Sequence, residues 1–375
     1  MANITLFGII KNRLFATNQS KSPLKSWKQL HHGHIHHLIF ERFRHIHIFA
    51  CENTLINSGF MKIIGTGSAL PKKVVTNDML AGFLDTSDEW IYPRTGIKTR
   101  HVITDENLED LGTEAVRKAL EMSGLKVEDI DLFIVSNVVS EYITPGMSCI
   151  IGEKLGLKCP MFDINCACPG FVYALDMAET YYKAGKIKNA IVACVEEPTR
   201  MASWKDRGTC VLFGDGAGAV VLTEGDNIKG TKLHAEPSVD EIWQTRTLVD
   251  TPYITKKEES VPMQMKGREV FKFAVKACTE GVQSLLDEVG IDKSEVAYFM
   301  IHQANQRIID SIISFMGQPA EKFPVNITDH GNSSSASCPI LLDECNRKGM
   351  FKKGDILVFS AFGAGLLSGA AVVEW

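Results

Sequence analysis

The chain has 375 residues, of which 45% are hydrophobic and 23% charged, and its formal net charge is −5 at pH 7. This length supports one large or two medium domains with a substantial core. The negative charge argues against nucleic-acid binding, and no apolar run approaches the length of a membrane span. The ten cysteines lack paired metal-ligand spacing, so we expect no metal site and a reduced, cytoplasmic environment.

Residues 1–60 differ from the rest of the chain. They hold seven of the eleven histidines and carry seven Lys or Arg against two Asp or Glu. They show no sustained hydrophobic period, and Met61 begins a fresh strand-like stretch. We favour a disordered leader or an over-extended gene start outside the mature fold. A His-rich metal-binding tail and an organellar targeting peptide, which would change the location, are the alternatives.

Helical and strand-like stretches alternate along the remaining chain. The predicted elements are, in chain order, a helix at Leu108–Ser123, a strand at Ile130–Ser136, a helix starting near Cys168, strands at Ala190–Val195 and Gly218–Leu222, a helix at Val270–Val289, a strand at Val296–Ile301, helices at Asn305–Met316 and Ser335–Lys348, and strands at Ile356–Ser360 and Gly369–Val373. Because fully apolar strands alternate with helices, we expect an α/β fold with sheets covered on both faces.

Two segments of the first half recur in the second half. Residues 125–131 resemble residues 291–296, and each lies between a helix and a strand. The glycine-rich turn at 213–221 resembles the one at 362–373, and each leads into a closing strand. We infer an internal duplication, with halves at 61–230 and 231–375. The helix starts after Cys168 and Asn332 are then equivalent, and we expect them to face each other across a pseudo-twofold axis.

Cys168 follows an apolar strand-like stretch that ends abruptly at small residues. Pro169 suits the first position of a helix, where its missing N–H costs little. The N–H groups and dipole at a helix N-terminus lower a thiol pKa and can hold an anion. Taken alone, Cys168 also fits a buried, inert cysteine, which is the commoner case.

Two further polar residues lie in similar settings. His302 ends a buried strand just before a helix, and ligands favour the carboxyl ends of such strands. Asn332 precedes a helix in a run of small polar residues, which is also an ordinary helix-capping pattern. A structural histidine and a capping asparagine are the alternatives when each residue is considered separately.

Together these motifs resemble the β-ketoacyl-[acyl carrier protein] synthase III family of thiolase-fold condensing enzymes, and the likeness covers nearly all of residues 61–375. The motifs that carry it are Asp163-Ile164-Asn165-Cys166-Ala167-Cys168-Pro169-Gly170-Phe171, His302-Gln303-Ala304-Asn305-Gln306-Arg307, His330-Gly331-Asn332-Ser333-Ser334-Ser335-Ala336-Ser337, Thr86-Ser87-Asp88-Glu89-Trp90-Ile91, Arg94-Thr95-Gly96-Ile97 and Asp206-Arg207-Gly208-Thr209. The resemblance implies a five-layer αβαβα fold built from two duplicated halves.

The resemblance also implies roles for ten residues. Cys168 would accept the acyl group, while His302 and Asn332 would bind and polarise a malonyl thioester. The backbone N–H groups of Cys168 and Ala364 would form the oxyanion hole. The remaining implied contacts are Trp90 and Arg207 on the adenine of coenzyme A, Arg94 on its phosphates, Asn305 in the pantetheine tunnel, and Lys272 and Arg307 at the carrier-protein docking surface.

The implied reaction is a ping-pong condensation of an acyl-coenzyme A primer, expected to be acetyl, with a malonyl carrier protein, starting type II fatty acid synthesis. The resemblance implies a homodimer that needs no cofactor. Two positions depart from the family pattern. Pro169 replaces a small residue, and Ala364 stands where glycine is common, which would cost about 1 kcal/mol if that position needs positive φ.

Several alternatives stay open. A papain-like hydrolase also uses Cys, His and Asn in this order but lacks the duplicated pattern. Elongating synthases use two histidines, and hydroxymethylglutaryl synthases add a glutamate, for which Glu141, Glu196 and Glu197 are the candidates. A ketosynthase or acyltransferase of specialised metabolism is the nearest alternative. An inactive scaffold and a cysteine-dependent thioester hydrolase are more remote.

Overall fold

The computed structural model describes residues 59–245 and 260–375. Of the segment 1–60, interpreted above as a leader, only residues 59 and 60 are therefore described. The strands are, in chain order, β1 Phe60–Ala69, β2 Lys73–Thr76, β3 Thr99–Val102, β4 Leu132–Ser136, β5 Met161–Ile164, β6 Ala190–Glu196, β7 Gly216–Gly225, β8 Ile228–Ser238, β9 Ile242–Trp243, β10 Gln264–Met265, β11 Val296–Ile301, β12 Ile356–Gly363 and β13 Gly365–Glu374.

The α-helices lie between these strands. They are α1 Asn77–Ala81, α2 Asp88–Thr95, α3 Leu108–Ser123, α4 Met147–Leu155, α5 Gly170–Lys183, α6 Gly267–Val289, α7 Gln306–Met316, α8 Ile327–His330 and α9 Ser337–Arg347. The helix predicted at Leu108–Ser123 and the strand predicted at Val296–Ile301 have the predicted bounds. The strand predicted from Ile130 begins at Leu132, because a 3-10 turn at Val127–Asp129 runs up to Ile130.

Two main sheets repeat one topology. The first has the order β1-β7-β6-β4-β5, and the second has the order β8-β13-β12-β11. In both, the first three strands pair antiparallel and the next strand joins in parallel. The chain passes from one sheet to the other between Gly225 and Ile228. This repetition follows the duplication inferred from the sequence, and the half boundary at residue 230 falls inside β8.

The layers alternate between helices and sheets. Helices α5 and α9 pack between the two sheets, α3 and α4 cover the outer face of the first sheet, and α6 and α7 cover the outer face of the second. Strand β6 shows why these strands are apolar throughout. Its residues Ile191, Ala193 and Val195 face the outer cluster, while Ala190, Val192 and Cys194 face the central one. The five-layer αβαβα fold is confirmed.

Two glycines, Gly65 and Gly67, set the spacing between β1 and α3. A Cβ added at Gly67 would lie 2.1 Å from the Ala115 carbonyl oxygen, far inside contact distance. Only a residue without a side chain lets the helix backbone approach the strand this closely. The outer layer therefore packs directly on the first sheet.

The helix start after the predicted nucleophile differs from expectation by one residue. Pro169 is the N-cap of α5 and not its first helical residue, with φ −75° and ψ 5°. The helix predicted at Ser335–Lys348 begins as a 3-10 turn at Ser334–Ala336 and becomes α-helical at Ser337.

Candidate active site

A cavity of about 1150 Å³ opens where the two central helix starts meet. All ten residues that the sequence predicts for the site line this cavity: Trp90, Arg94, Cys168, Arg207, Lys272, His302, Asn305, Arg307, Asn332 and Ala364. These residues are spread along the chain from residue 90 to residue 364, and the fold brings them to one cavity. The structure brings these residues together, and the role of each remains a prediction.

Cys168 lies in a turn between β5 and α5. Ala167, just before it, adopts φ +50°, a left-handed conformation that is uncommon for alanine. Gly363 packs against the Cys168 backbone, and a Cβ added there would lie 2.8 Å from the Cys168 nitrogen. The Cys168 thiol sulfur contacts the Ser334 hydroxyl at 3.7 Å. The turn and the close backbone contact together present the thiol to the cavity.

The expectation of a lowered thiol pKa is wrong for this ligand-free site. Burial raises the pKa of Cys168 to about 12. The hydrogen bond from Ser334 opposes this rise, the nearby Glu196 carboxyl adds to it, and the Cys168 backbone N–H opposes it. The helix terminus is present, but the loss of water around the sulfur outweighs it. A neutral thiol therefore predominates at neutral pH, and its proton must leave when the sulfur attacks.

His302 follows the last residue of β11 and is almost fully buried. Its Nδ1 lies 2.6 Å from the Ser337 hydroxyl, and its buried Nε2 has no hydrogen-bond partner within the described part of the chain. Burial lowers the pKa of this imidazole to about 3, so the ring is neutral. Because the Ser337 oxygen also accepts the Gln303 N–H at 3.4 Å, its hydroxyl can donate to Nδ1. That pattern places the ring proton on Nε2, an unused donor.

Asn332 holds the opposite side of the same region. Its Oδ1 accepts the Ser334 N–H at 2.9 Å, which fixes the orientation of the amide. Its backbone is tied to the first half, because its N–H donates to the Leu212 carbonyl at 2.8 Å and its carbonyl accepts the Gly214 N–H at 3.1 Å. Asn332 can therefore cap the local turn and also contribute to the site. The oxygen serves the local turn and leaves the NH2 group as the donor.

Ala364 connects β12 to β13 and lines the cavity near Cys168. Within residues 59–245 and 260–375, Ala167 and Ser334 are the residues other than glycine with positive φ. Ala364 therefore carries no left-handed strain, and the cost considered for alanine at this position does not arise. The positive φ falls instead on Gly365, at +133°.

The residues predicted to hold coenzyme A cluster around one indole ring. The guanidinium carbons of Arg94 and Arg207 lie 4.8 Å and 4.7 Å from the Trp90 ring centroid. Arg207 also hydrogen-bonds the Asp85 backbone carbonyl, and its ion pair to the Asp85 carboxylate measures 3.2 Å. An adenine can stack between Trp90 and Arg207 only if Arg207 leaves the indole. Its side chain is 41% exposed, which allows that movement.

Both polar atoms of the Asn305 amide already form hydrogen bonds within the protein, which the sequence does not indicate. Its Oδ1 accepts the Arg307 N–H as the N-cap of α7, and its Nδ2 donates to the Arg94 carbonyl at 3.1 Å. Lys272 and Arg307 are exposed at the cavity mouth. Five cationic side chains line the described cavity and no carboxylate does: Arg94, Arg207, Arg268, Lys272 and Arg307. This charge favours an anionic ligand.

Two residues near Cys168 are absent from the ten predicted site residues, although Glu196 is one of the glutamates named for the hydroxymethylglutaryl synthase alternative. Ser334 contacts the Cys168 sulfur, and Glu196 lies fully buried behind it at the end of β6. In the sequence, the serine run after Asn332 is typical of a helix cap, and Glu196 directly follows the strand predicted at Ala190–Val195. An acidic residue that directly follows an apolar strand was the available signal. Its partners come from other parts of the chain and could not be inferred.

Within the described residues, no group of three or more His, Cys, Asp or Glu is arranged to hold a metal ion. The helices of those same segments fall short of the length and apolarity that a membrane span requires.

The duplicated sheets and the meeting of two helix starts at a cysteine define a thiolase-like enzyme. Residues 162–237 match the family model described as 3-Oxoacyl-[acyl-carrier-protein (ACP)] synthase III, and residues 286–375 match the model of its C-terminal part. A β-ketoacyl-[acyl-carrier-protein] synthase III from Clostridium acetobutylicum is 42% identical over 320 residues, covering 84% of this chain and 98% of that protein.

Solved structures agree with this assignment. The 3-oxoacyl-[acyl-carrier-protein] synthase III from Aquifex aeolicus VF5 is 40% identical with a TM-score of 0.78, covering 84% of this chain and all of that one. A priming β-ketosynthase from the R1128 polyketide pathway is 30% identical with a TM-score of 0.79, covering 84% of this chain and 96% of that one. The chain belongs to the β-ketoacyl-[acyl carrier protein] synthase III family.

Proposed function

We propose that this protein condenses an acyl-coenzyme A primer with a malonyl carrier protein, releases CO2 and forms a 3-oxoacyl carrier protein. This is the initiating condensation of type II fatty acid synthesis. The observation that carries the proposal is the convergence of the Cys168 thiol, the His302 Nε2 and the Asn332 amide on one cation-lined cavity. Family membership agrees with it.

In the first half-reaction the Cys168 sulfur attacks the thioester carbonyl carbon of the primer. The tetrahedral oxyanion would be held by the backbone N–H groups of Cys168 and Ala364. The close packing of Gly363 on Cys168 supports this assignment, because it brings the two backbone segments together. Coenzyme A then leaves and the acyl group stays on the sulfur.

In the second half-reaction the malonyl thioester loses CO2 and becomes an enolate. The neutral His302 and the Asn332 amide would donate hydrogen bonds to its oxygen, and neither needs to change protonation to do so. A preorganised donor of this kind is typically worth about 3–4 kcal/mol. The carbanion then attacks the acyl-cysteine, and Cys168 is released.

The substrates explain the charge of the site. Coenzyme A carries phosphates, and acyl carrier proteins are acidic, so both are attracted to the cationic mouth formed by Arg94, Arg207, Lys272 and Arg307. We assign Trp90 and Arg207 to the adenine and Asn305 to the pantetheine path. We also propose an acetyl primer, a homodimer, a cytoplasmic location and no cofactor, each on family likeness and the sequence pattern.

A related function has one observation in its favour. The structural similarity to a priming β-ketosynthase of a polyketide pathway, with a TM-score of 0.79, is as close as the similarity to the Aquifex aeolicus enzyme, with a TM-score of 0.78. Such an enzyme would use the same residues with a different primer. Primer choice therefore separates the two functions.

The test is incubation with a panel of acyl-coenzyme A primers and malonyl carrier protein, followed by intact-mass detection of the acyl-enzyme and the product. We expect a Cys168 acyl adduct and a 3-oxoacyl carrier protein, with acetyl preferred. Preference for a longer primer would favour the polyketide-type function. Free acid formed without malonyl carrier protein, at a rate matching acylation, would instead show a thioester hydrolase.

A further inference from the structure

The two hydrogen-bond donors assigned to the enolate lie in short connecting segments. His302 directly follows β11, and Asn332 lies between α8 and the 3-10 turn that precedes α9. Gly331, just before Asn332, has φ +67°. A preorganised donor is effective only when it is held in the right orientation before the reaction begins. The contacts that fix these two segments therefore bear on the reaction.

Glu344, a residue of α9, holds both ends of the short helix α8. Its Oε1 lies 2.5 Å from Nε2 of His330, the last residue of α8. Its Oε2 accepts the Asn326 Nδ2–H at 3.1 Å, and Asn326 is the N-cap of the same helix. Because α8 has only four residues, it is too short to be stable on its own. Its position therefore depends on contacts such as these with α9.

The pair between Glu344 and His330 is largely shielded from water and has a defined polarity. The two side chains are 22% and 13% exposed. Burial by itself would raise the pKa of Glu344, but the hydrogen bonds from His330 and Asn326 hold it below its ordinary value. The carboxylate is therefore ionised at neutral pH and can only accept, so the His330 Nε2 carries the proton. A hydrogen bond to an ionised partner is about twice as strong as a neutral one.

The same set of contacts continues to the residue after His302. The Gln303 Oε1 accepts the backbone N–H groups of Asn326 and Ile327 at 3.1 Å and 3.3 Å. The Gln303 Nε2 donates to the carbonyl of Ile301, the residue before His302, at 2.8 Å. Four side chains thus form what we call the α8 network: Gln303, Asn326, His330 and Glu344. Among the described residues that line the cavity, none belongs to this network, so it acts on the site from behind.

A shift of His330 reaches Asn332 through the backbone. Gly331 alone separates the two residues, and the His330 carbonyl packs against the first half of the chain. A Cβ added at Gly214 would lie 2.1 Å from that carbonyl oxygen. The Gly214 N–H also donates to the Asn332 carbonyl at 3.1 Å. Because Gly214 contacts the backbone on both sides of Gly331, a displacement of His330 is transmitted to Asn332.

Resting on the proposed function, we propose that His330 and Glu344 are positioning residues for decarboxylation and condensation. Their hydrogen bond fixes Asn332, and the rest of the α8 network extends this hold to the segment that carries His302. Neither residue lines the cavity, so neither contacts a substrate there. Their loss should therefore lower the kcat of decarboxylation and leave the KM for malonyl carrier protein and the acylation of Cys168 nearly unchanged.

Asp343 provides the matched comparison on the same helix. Its carboxylate is almost fully buried and accepts the Thr66 and Ser68 hydroxyls at 2.7 Å each. It also pairs with Arg347 at 2.9 Å. These contacts hold α9 against β1, and none of these partners belongs to the α8 network. Replacing Asp343 therefore removes a buried carboxylate of α9 without releasing α8.

The experiment compares the full-length wild type with E344A, D343A, H330A and H330Q. Decarboxylation of malonyl carrier protein without primer gives kcat and KM, intact mass follows single-turnover acylation by acetyl-coenzyme A, and thermal unfolding reports stability. We expect E344A and H330A to lose about tenfold in decarboxylation kcat, with KM and acylation within about twofold of wild type. H330Q should recover most of this loss, because the glutamine amide can donate from the position of Nε2. D343A should lower the unfolding midpoint and keep the decarboxylation kcat.

Equal losses of acylation and decarboxylation in E344A would overturn the proposal, because they would indicate a general structural role. A decarboxylation loss in D343A as large as that in E344A would also overturn it, as would an H330Q variant no more active than H330A. If E344A or D343A does not fold, the comparison of H330A with H330Q decides, since it changes the donor at one position. A wild type that forms neither acyl-enzyme nor 3-oxoacyl carrier protein would refute the proposed function itself. An active wild type with an unaffected E344A would refute the positioning role alone.

Discussion

The two central helix starts are equivalent by duplication but carry different chemistry. In the first half, the start of α5 presents Cys168 after a left-handed Ala167. In the second half, the start of α9 presents Asn332 and Ser334, and here Ser334 is the left-handed residue. Each helix start thus contains one residue with a strained backbone, and the two helix starts meet at the Cys168–Ser334 contact. One fold unit used twice has supplied a thiol on one side and hydrogen-bonding groups on the other.

This division predicts that the two sides can be disabled separately. We expect acylation to need Cys168, and we expect decarboxylation and condensation to need the His302 and Asn332 donors of the second half. Substitutions on each side therefore test whether the comparison describes function as well as geometry.

The largest effect is expected for Cys168→Ala. Without the sulfur no acyl-enzyme can form, so intact-mass analysis should show no adduct and condensation should fall to background. Cys149→Ala removes an exposed cysteine that does not line the cavity, and this variant should acylate normally. An adduct that persists in the Cys168 variant would move the nucleophile elsewhere.

Asn332→Ala should separate the half-reactions. Loss of one preorganised donor is expected to lower the condensation rate by about 10²–10³-fold while single-turnover acylation continues. Asn332→Asp preserves the shape but removes the donor and should behave the same way. If acylation fails first in either variant, the assignment of Asn332 to the enolate is wrong.

Ser337→Ala tests the orientation of His302. Its hydroxyl contacts Nδ1 at 2.6 Å, and losing this bond should cost about 1–1.5 kcal/mol, or roughly tenfold in condensation. Acylation should be unaffected. Ser311→Ala is the control, because Ser311 is a half-buried residue of α7 that does not line the cavity. An effect on acylation as large as that on condensation would indicate a general structural role.

Ala364→Gly should have the smallest effect. Because Ala364 has no positive φ, glycine relieves no strain there, and its backbone N–H is retained. We expect both half-reactions to stay within about twofold of wild type, measured by the same assays. A large gain in acylation would show that the alanine side chain obstructs the acyl group.

The sequence predicted the fold well where patterns are local. Apolar strands with few polar positions, such as β6 and β11, indicate a sheet covered on both faces, and the repeated glycine-rich turns indicated the duplication. The ten candidate site residues came from motifs and family likeness, and all of them line one cavity. Element ends were predicted less well, as the Pro169 cap shows, because the first turn of a helix is fixed by its neighbours.

The electrostatic state of the site was not predictable in the same way. The helix start at Cys168 suggested a lowered pKa, and the structure gives a raised one, because burial depends on segments far away in the chain. The sequence also did not predict that Arg207 stacks on Trp90 or that the Asn305 side chain forms two hydrogen bonds within the protein. Both involve a contact between residues more than a hundred positions apart, Arg207 with Trp90 and Asn305 with Arg94.

The sequence by itself determined the family, the α/β class and which residue types carry the chemistry, because these depend on local pattern and motif order. Only the tertiary structure decided the protonation state of the thiol, the free nitrogen of His302, the orientation of the Asn332 amide and the place of Glu196 behind the sulfur. Desolvation and hydrogen bonding act through space, and their partners are chosen only when both halves close around the site.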